Sequence, residues 1–470
     1  LRQVHSRTST NYTMKLSART PLKPLPWRCL SQRRIWGAAV SSEPDLTVPM
    51  EIDCAPPMFQ GTTPTQVTTL ANGLKVASSD LSLPCTTVGV YVDTGSRYDV
   101  VSGTAHVLQH MAFKTASDYS HVSVVRAGER MGAVAAAMAG RENMVYQVDT
   151  LKEAVPEAVE ILADTIFESK MLPWELDDEK KLIAKEVEEL SKNPQQLLQD
   201  LSHTAAFGAT SPLGKPLTCP KRNLDAVTPE VLKDFVAAQY CPSRMVLAAA
   251  GYDHDELVAI AEATFGKLPA GTPQFSKPVE YIGGEYRESS EDPLTHFALS
   301  FKGTGWKDAD LVPLCVLNTM MGGGASFSAG GPGKGMYTRL YQNILNRYAF
   351  VTSASVFSSF YNDAGIFGIY GSTPADCMGK LVSAMCDEMK KMAGPISDEE
   401  FMRAKNQLKS SLLMNLESRA ILFEDIGRQV LTYGARTEPM ELVAQIDAVT
   451  SGDLKDVAGK LLKRAPSIAV

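Results

Sequence analysis

Residues 103–114 read GTAHVLQHMAFK and place two histidines, His106 and His110, four positions apart. The stretch predicts a helix that begins near Gly103. Side chains four positions apart on a helix face the same way, so the two imidazoles can converge on one ion. Gln109 lies one turn from His106, beside the pair. The stretch therefore predicts a helix with two metal-ligand candidates and a neutral amide next to them.

A third protein ligand is available on an acidic stretch further along the chain. Residues 151–190 are predicted to form two amphipathic helices, and the second carries Glu186, with Glu179 seven residues earlier on the same face. His106, His110 and Glu186 are thus candidate ligands of a Zn²⁺ ion. Equally, His106 and Glu186 can form a hydrogen-bonded pair between two helices without any ion. The residues alone leave both interpretations open.

Local composition divides the chain into segments. An Asn72-Gly73 pair predicts a hairpin near the start of the folded part. A stretch rich in Pro, Gly and charge reads as a linker, and a strand-like and helical pattern restarts after it. The predicted fold class is α+β, with two similar α/β halves. The predicted segments are a basic extension and Pro-rich lead-in at 1–65, an N-terminal domain at 66–267, the linker at 268–293 and a C-terminal domain at 294–470.

The net charge of −7 conceals an uneven distribution. Residues 1–42 contain eight of the 46 basic side chains and no acidic one, so the rest of the chain has 38 basic and 53 acidic side chains, a net charge of −15. A Ser- and Arg-rich start without acidic residues is typical of a mitochondrial transit peptide, which predicts a protein on the matrix side of the inner membrane. Alternatively, this segment is a basic arm that stays on the protein and docks on a neighbour.

Composition also argues against several classes of protein. An acidic body disfavours nucleic-acid binding, because phosphate contacts need clustered Lys and Arg. No apolar run approaches the ~20 residues that span a bilayer, so no transmembrane segment is predicted. The eight cysteines are scattered without a C-x-x-C pair. That pattern argues against a disulfide framework and against a cysteine zinc site.

The histidine pair, followed by a Glu 76 residues after the second histidine (110 to 186), resembles the pitrilysin-type peptidases, peptidase family M16. Residues 141–164 are similar to the family's motif after the metal helix. Residues 321–347 resemble the glycine-rich loop peculiar to the alpha-type subunits among the family's mitochondrial processing peptidases, and 414–434 adds to this likeness. The resemblance runs from about residue 66 to the end, with 208–220 a weaker match. It implies two homologous α/β domains of the pitrilysin-type (LuxS/MPP-like) metallopeptidase fold.

Gln109 occupies the position of the family's catalytic Glu. In active members that carboxylate takes a proton from metal-bound water and passes it to the leaving amine. A carboxamide has no basic oxygen at neutral pH, and losing the base is expected to slow cleavage by roughly 10²- to 10⁴-fold. The resemblance therefore implies a vestigial Zn²⁺ site in which no residue of this chain is catalytic.

Residues 322–335 contain seven glycines in fourteen positions. A phosphate loop is excluded, because Ser328 and Gly335 stand where that motif needs Gly and Ser or Thr. The resemblance implies that the loop contacts the substrate, and the alternative is a surface loop without a ligand. The substrate-binding candidates are Gly322, Gly323, Gly324, Ser326, Phe327, Gly330, Gly331, Gly333, Lys334 and Gly335.

The resemblance further implies a set of partners. We expect a non-catalytic subunit that recognises basic presequence peptides, pairs with a catalytic beta-type subunit as a heterodimer, and belongs to respiratory complex III as a core subunit. One alternative is a purely structural core subunit of complex III without a processing role. The other is an active zinc endopeptidase, which Gln109 disfavours.

Overall fold

The computed structural model describes residues 64–81, 83–272, 278–289, 292–326 and 336–470, and within them strands and helices are interspersed. The strands are β1 Gln66–Thr69, β2 Lys75–Ser79, β3 Cys85–Val92, β4 Val134–Ala139, β5 Met144–Leu151, β6 Met245–Ala250, β7 Gly284–Tyr286, β8 Leu294–Lys302, β9 Gly323–Ala325, β10 Ser353–Phe360, β11 Gly365–Pro374 and β12 Ser467–Ala469. The helices are α1 Thr104–His110, α2 His121–Met131, α3 Val155–Phe167, α4 Pro173–Leu190, α5 Pro194–Phe207, α6 Pro229–Gln239, α7 His254–Thr264, α8 Leu311–Met321, α9 Met378–Lys391, α10 Asp398–Leu416, α11 Arg419–Tyr433, α12 Pro439–Ala448 and α13 Ser451–Leu462.

The first sheet has the strand order β1-β2-β6-β3-β5-β4. Only β2 and β6 pair in parallel, and the other neighbours are antiparallel. The predicted hairpin is confirmed: β1 and β2 pair around Asn72-Gly73, where Gly73 has a φ of +92°, a left-handed conformation that favours glycine. Strand β4 lies at the edge of this sheet.

The second sheet has the order β7-β12-β8-β11-β10-β9. Its strands β7, β12, β8, β11 and β10 repeat the chain order and directions of β2, β6, β3, β5 and β4, including one parallel pair. The prediction of two similar halves is therefore confirmed, and the sheet of each half is mostly antiparallel. Strand β10 is the counterpart of β4.

The glycine-rich segment makes the two sheets differ at one edge. Strand β9 pairs antiparallel with β10, so that Ala325, Gly324 and Gly323 lie opposite Ser353, Ala354 and Ser355. Gly323 has a φ of +126°, and a Cβ there would lie 2.2 Å from the Ala354 carbonyl oxygen, so this approach requires glycine. Among the described strands, none pairs with the outer edge of β4, whereas the corresponding edge of β10 is covered by β9.

Each half also covers a face of the other half's sheet with one helix. Helix α5 packs on β7, β8 and β12, whereas α11 packs on β2, β3 and β6. Phe423 and Ile426 of α11 are fully buried against the first sheet, and Gly427 lets the helix approach Tyr91, since a Cβ there would lie 2.2 Å from its ring. Each of the two cores is therefore completed by a helix from the other half of the chain.

Polar contacts tie the two hairpin turns of the halves together. Arg97 forms two hydrogen bonds with Asp363 of the β10–β11 turn, at 2.8 and 2.7 Å, and an ion pair with Glu142 of the β4–β5 turn. Glu142 in turn accepts a hydrogen bond from the backbone N–H of Asn362 at 2.8 Å. We call Arg97, Glu142 and Asp363 the interhalf clamp.

Other sequence predictions have different outcomes. None of the described helices is both long and apolar enough to cross a membrane. All described cysteines have free thiols: Cys85, Cys219, Cys241, Cys315, Cys377 and Cys386. The predicted extension at 1–65 lies outside the described residues apart from its last two. The predicted linker at 268–293 is irregular where described, apart from β7, which joins the second sheet beside β12.

Candidate metal and peptide site

Helix α1 positions the histidine pair, as the sequence predicts. Seven residues are too few for a helix that is stable alone. The buried Asp99 carboxylate accepts the backbone N–H groups of Gly103 and Ala105 at 2.8 and 3.0 Å and so fixes the first turn. Burial raises the pKa of Asp99 to about 7, although these N–H bonds oppose the rise. Gly103 has a φ of +100° and packs against Cys219, so no side chain fits there.

The structure brings His106, His110 and Glu186 together between α1 and α4. Their ligand atoms all lie within 4.8 Å of one another. Nε2 of His106 is 3.7 Å from Oε1 of Glu186, and Nε2 of His110 is 2.8 Å from Oε2. Zn–N bonds of about 2.0–2.1 Å in a tetrahedron separate neighbouring ligand atoms by roughly 3.3 Å. The spacing suits one small divalent ion.

His110 is oriented as a metal ligand would be. Its buried Nε2 has no hydrogen-bond partner among the described residues, because the Glu186 oxygen lies outside hydrogen-bond geometry. Its Nδ1 lies 3.5 Å from Oε2 of Glu179, whose other oxygen is 2.6 Å from Nζ of Lys114. A proton on Nδ1 leaves the Nε2 lone pair available, the arrangement typical of a carboxylate behind a ligating histidine.

His106 is oriented differently. It is buried, and its Nδ1 accepts the backbone N–H of Cys219 at 3.3 Å, so the neutral ring holds its proton on Nε2, which faces Glu186. Burial lowers the pKa of His106, and His110 lowers it further, whereas Glu186 raises it. Donor type, number and spacing thus fit a zinc ion, and the Cys219 bond is the one contact in this group that opposes it.

Gln109 is held by the neighbouring edge strand. Its Oε1 accepts the backbone N–H of Ala139, the last residue of β4, at 2.8 Å. The amide therefore lies beside the metal candidates with its oxygen already engaged. The bond also joins α1 to the end of β4.

Among the described residues, no strand pairs with the outer edge of β4, which lies next to this site. It is the last strand of its sheet, and Val134 and Met138 are 67% and 49% exposed. An unpaired strand edge offers backbone N–H and C=O groups to another chain. The site thus combines three metal-ligand candidates, the Gln109 amide beside them and an exposed strand edge.

The structure describes only part of the predicted substrate-binding loop. Gly322, Gly323, Gly324 and Ser326 follow the edge of β10, where the Gly322 carbonyl accepts the N–H of Val356 and the Ser326 N–H donates to Thr352. They lie in the second half, whereas the histidine pair lies in the first. The loop candidates outside the described residues are Phe327, Gly330, Gly331, Gly333, Lys334 and Gly335.

Sequence reasoning missed several residues of the site. Asp99 was detectable, because an acidic residue shortly before a glycine and an apolar helical run is a capping signal. Lys114 lies beyond the end of α1, so helical periodicity does not place its side chain beside Glu179. Cys219 and Ala139 carry no local signal, since both act through backbone N–H groups brought in from distant segments.

Two family profiles match the chain. The profile described as "Insulinase (Peptidase family M16)" matches residues 75–221, and the one described as "Peptidase M16 inactive domain" matches residues 226–408. The first match contains the histidine pair, Gln109 and Glu186, and the second contains the glycine-rich segment. Together they span both halves of the fold.

Curated relatives agree with these profiles. The mitochondrial-processing peptidase subunit alpha of Solanum tuberosum is 42% identical over 93% of this chain and 88% of its own length. The probable subunit alpha-1 of Arabidopsis thaliana is 40% identical over 91% and 86%, and the probable subunit beta of the same plant is 39% identical over 85% and 76%. These relatives are mitochondrial by name, which indicates a mitochondrial location here too. The chain therefore belongs to peptidase family M16, in which it is similar to mitochondrial-processing peptidase alpha subunits.

Proposed function

We propose that this chain is the non-catalytic, presequence-recognising alpha subunit of a heterodimeric mitochondrial processing peptidase. The observation that carries the proposal is Gln109, which stands at the base position within an otherwise preserved site. Its Oε1 accepts from Ala139, and its Nε2 carries only protons to donate. The amide can neither take a proton from water nor return one to a leaving amine.

The other carboxylates of the site do not replace the missing base. Glu179 is 7% exposed and is engaged by Lys114 and His110, behind the metal position. Glu186 faces both histidines and would itself be a ligand. His106, His110 and Glu186 would hold zinc, which when bound lowers the pKa of a water molecule and polarises a carbonyl. Proton transfer remains without a described residue to perform it.

A presequence has two recognition features available near this site. The first is the open edge of β4, where a peptide can pair as an added strand. The second is α4, whose 18 residues contain seven acidic and three basic side chains, with Glu188 and Glu189 well exposed. A basic peptide is attracted by such a field. Backbone pairing supplies sequence tolerance, and the acidic helix selects for positive charge.

The catalytic partner of the proposed heterodimer is a beta-type subunit that keeps the Glu at the position equivalent to Gln109. The similarity to the Arabidopsis thaliana subunit beta shows that both subunit types share this fold, so a pseudosymmetric pair is geometrically reasonable. We further propose, from the family resemblance, that the pair is a core part of respiratory complex III on the matrix side. Co-purification of the chain with cytochrome subunits tests that extension.

The test of the proposed function is reconstitution. The chain is mixed with a beta-type subunit, and cleavage of a presequence peptide is followed by mass spectrometry. We expect cleavage by the pair, and its loss when the partner's catalytic Glu is replaced by Gln. As the matched control, His110→Ala in this chain should leave cleavage by the pair unchanged. Cleavage that survives the partner's substitution but disappears with His110→Ala would overturn the proposal.

A further inference from the structure

The backbone groups on the open edge of β4 follow a fixed alternation. The Gly140 N–H donates to the Asn143 carbonyl across the β4–β5 turn at 2.7 Å. The preceding residue, Ala139, therefore turns its N–H away from β5, as its bond to Gln109 confirms. By the same alternation, the N–H and C=O groups of Ala137 and Ala135 point to the open edge. In the part of the chain that the structure describes, no strand pairs with this edge.

The orientation of the Gln109 amide follows from the same contact. The amide oxygen Oε1 faces the Ala139 N–H, so Nε2, which carries the two amide protons, does not face it. No hydrogen bond from Nε2 to another described residue is found. The side chain thus engages one edge N–H with its oxygen and keeps its own amide protons for another acceptor.

The second half shows what such an edge accepts. Strand β10, the counterpart of β4, is paired antiparallel with β9, and the Val356 N–H donates to the Gly322 carbonyl of that added segment at 2.9 Å. An extended segment therefore fits beside this strand in the repeated architecture. The comparison suggests an antiparallel peptide on β4.

We propose that Gln109 donates a hydrogen bond from Nε2 to a backbone carbonyl of a peptide that pairs antiparallel with β4. The inference rests on the proposed function and adds a positioning residue to it. An ionised Glu at this position would present only acceptor oxygens and would repel that carbonyl. The change from Glu to Gln that removes the base thus creates a donor, and the inherited site holds a peptide without cutting it.

Two variants separate donation from structural support. Gln109→Glu keeps an oxygen for Ala139 and loses the donor, whereas Gln109→Met loses both. The probe is a peptide with the sequence of residues 1–34, which carries all eight basic side chains of the acid-free N-terminal segment. Fluorescence anisotropy is measured with a chelator, to prevent cleavage, and in about 0.5 M salt, to screen attraction to the added charge.

We expect Gln109→Glu to weaken peptide binding at least about fivefold, the effect of one net hydrogen bond, with an unchanged thermal midpoint. Gln109→Met should weaken binding and also lower the thermal midpoint, because Ala139 loses its acceptor. A series of probe peptides, each with one backbone amide replaced by an ester, gives a more specific readout. The ester whose carbonyl would accept the hydrogen bond from Gln109 should weaken binding to the natural chain, since an ester carbonyl is a poorer acceptor than an amide carbonyl. The same ester should have no effect on binding to Gln109→Glu.

The location of the peptide is checked with Ala137→Pro, which removes an outward N–H and should reduce binding further. If the natural chain binds the probe and Gln109→Glu binds it equally, the donor role is refuted while the proposed function stands. If Ala137→Pro binds equally well, the peptide does not pair with β4, and the inference also fails. If the natural chain does not bind the probe even at low salt, where attraction to the acidic helix α4 is unscreened, the inference and the proposed recognition function fail together.

Discussion

The interhalf clamp gives a prediction whose size can be worked out from the structure. Arg97 has a 5% exposed side chain and pairs with Glu142 and Asp363, which are 11% and 25% exposed. Removing one partner of a buried ion pair typically costs 3–5 kcal/mol, because the remaining charge stays buried. Asp363 and Glu142 each keep a backbone N–H donor, from Val279 and Asn362 respectively, so we expect the lower end, about 3 kcal/mol, for Arg97→Ala.

The assay is thermal unfolding followed by circular dichroism. With an unfolding entropy of about 2.1 cal/mol/K per residue over ~400 residues, a loss of 3 kcal/mol lowers the midpoint by roughly 3–4 °C. The matched control is Arg130→Ala, because Arg130 pairs with Glu157 on the surface at 69% exposure, and such pairs contribute about 0–1 kcal/mol. Equal midpoints for the two variants would refute the clamp as a stabilising contact.

Three further predictions concern the site and the loop. The pKa of Asp99 is about 7 in the folded chain and has an ordinary value of 3.8, so between pH 3.8 and 7 the folded chain holds a proton that the unfolded chain has released. The free energy of unfolding should therefore fall as the pH rises from 3.8 to about 7. In Asp99→Asn, the thermal midpoint should depend less on pH over this range. Deleting residues 327–335 should weaken presequence binding, measured by anisotropy, without changing the thermal midpoint, whereas the control deletion of 273–277 should leave binding unchanged. If the chain without 327–335 binds the presequence with the affinity of the natural chain, the loop has no recognition role. Excess Zn²⁺ should raise the thermal midpoint of the natural chain more than that of Glu186→Gln, and identical shifts would show that this site is not where zinc binds.

Much of the fold could be predicted because its signals are local or recur in the second half. The Asn72-Gly73 hairpin and the helix beginning after Gly103 follow from short-range backbone preferences. The convergence of His106 and His110 follows from helical periodicity. Bringing Glu186 to them required the family resemblance, since spacing along the chain does not fix how α4 packs on α1.

The rest depends on contacts between distant segments. Strand β4 reads VAAAMA, and alanine favours helices, so no local preference predicts the open edge beside the site. The sequence could not assign helix α11 to the first sheet, because an apolar helix face indicates that the face is buried but not which sheet buries it. The donor that engages Gln109 is a backbone N–H, which any residue at position 139 except proline would supply.

The central claim is that this chain recognises presequences and does not cut them. The most direct test is incubation of the chain alone, purified free of any beta-type subunit, with a presequence peptide, followed by mass spectrometry with and without a chelator. Gln109 in place of the base predicts intact peptide in both samples, even with Zn²⁺ added. Chelator-sensitive cleavage by the chain alone, abolished by His110→Ala, would contradict the account.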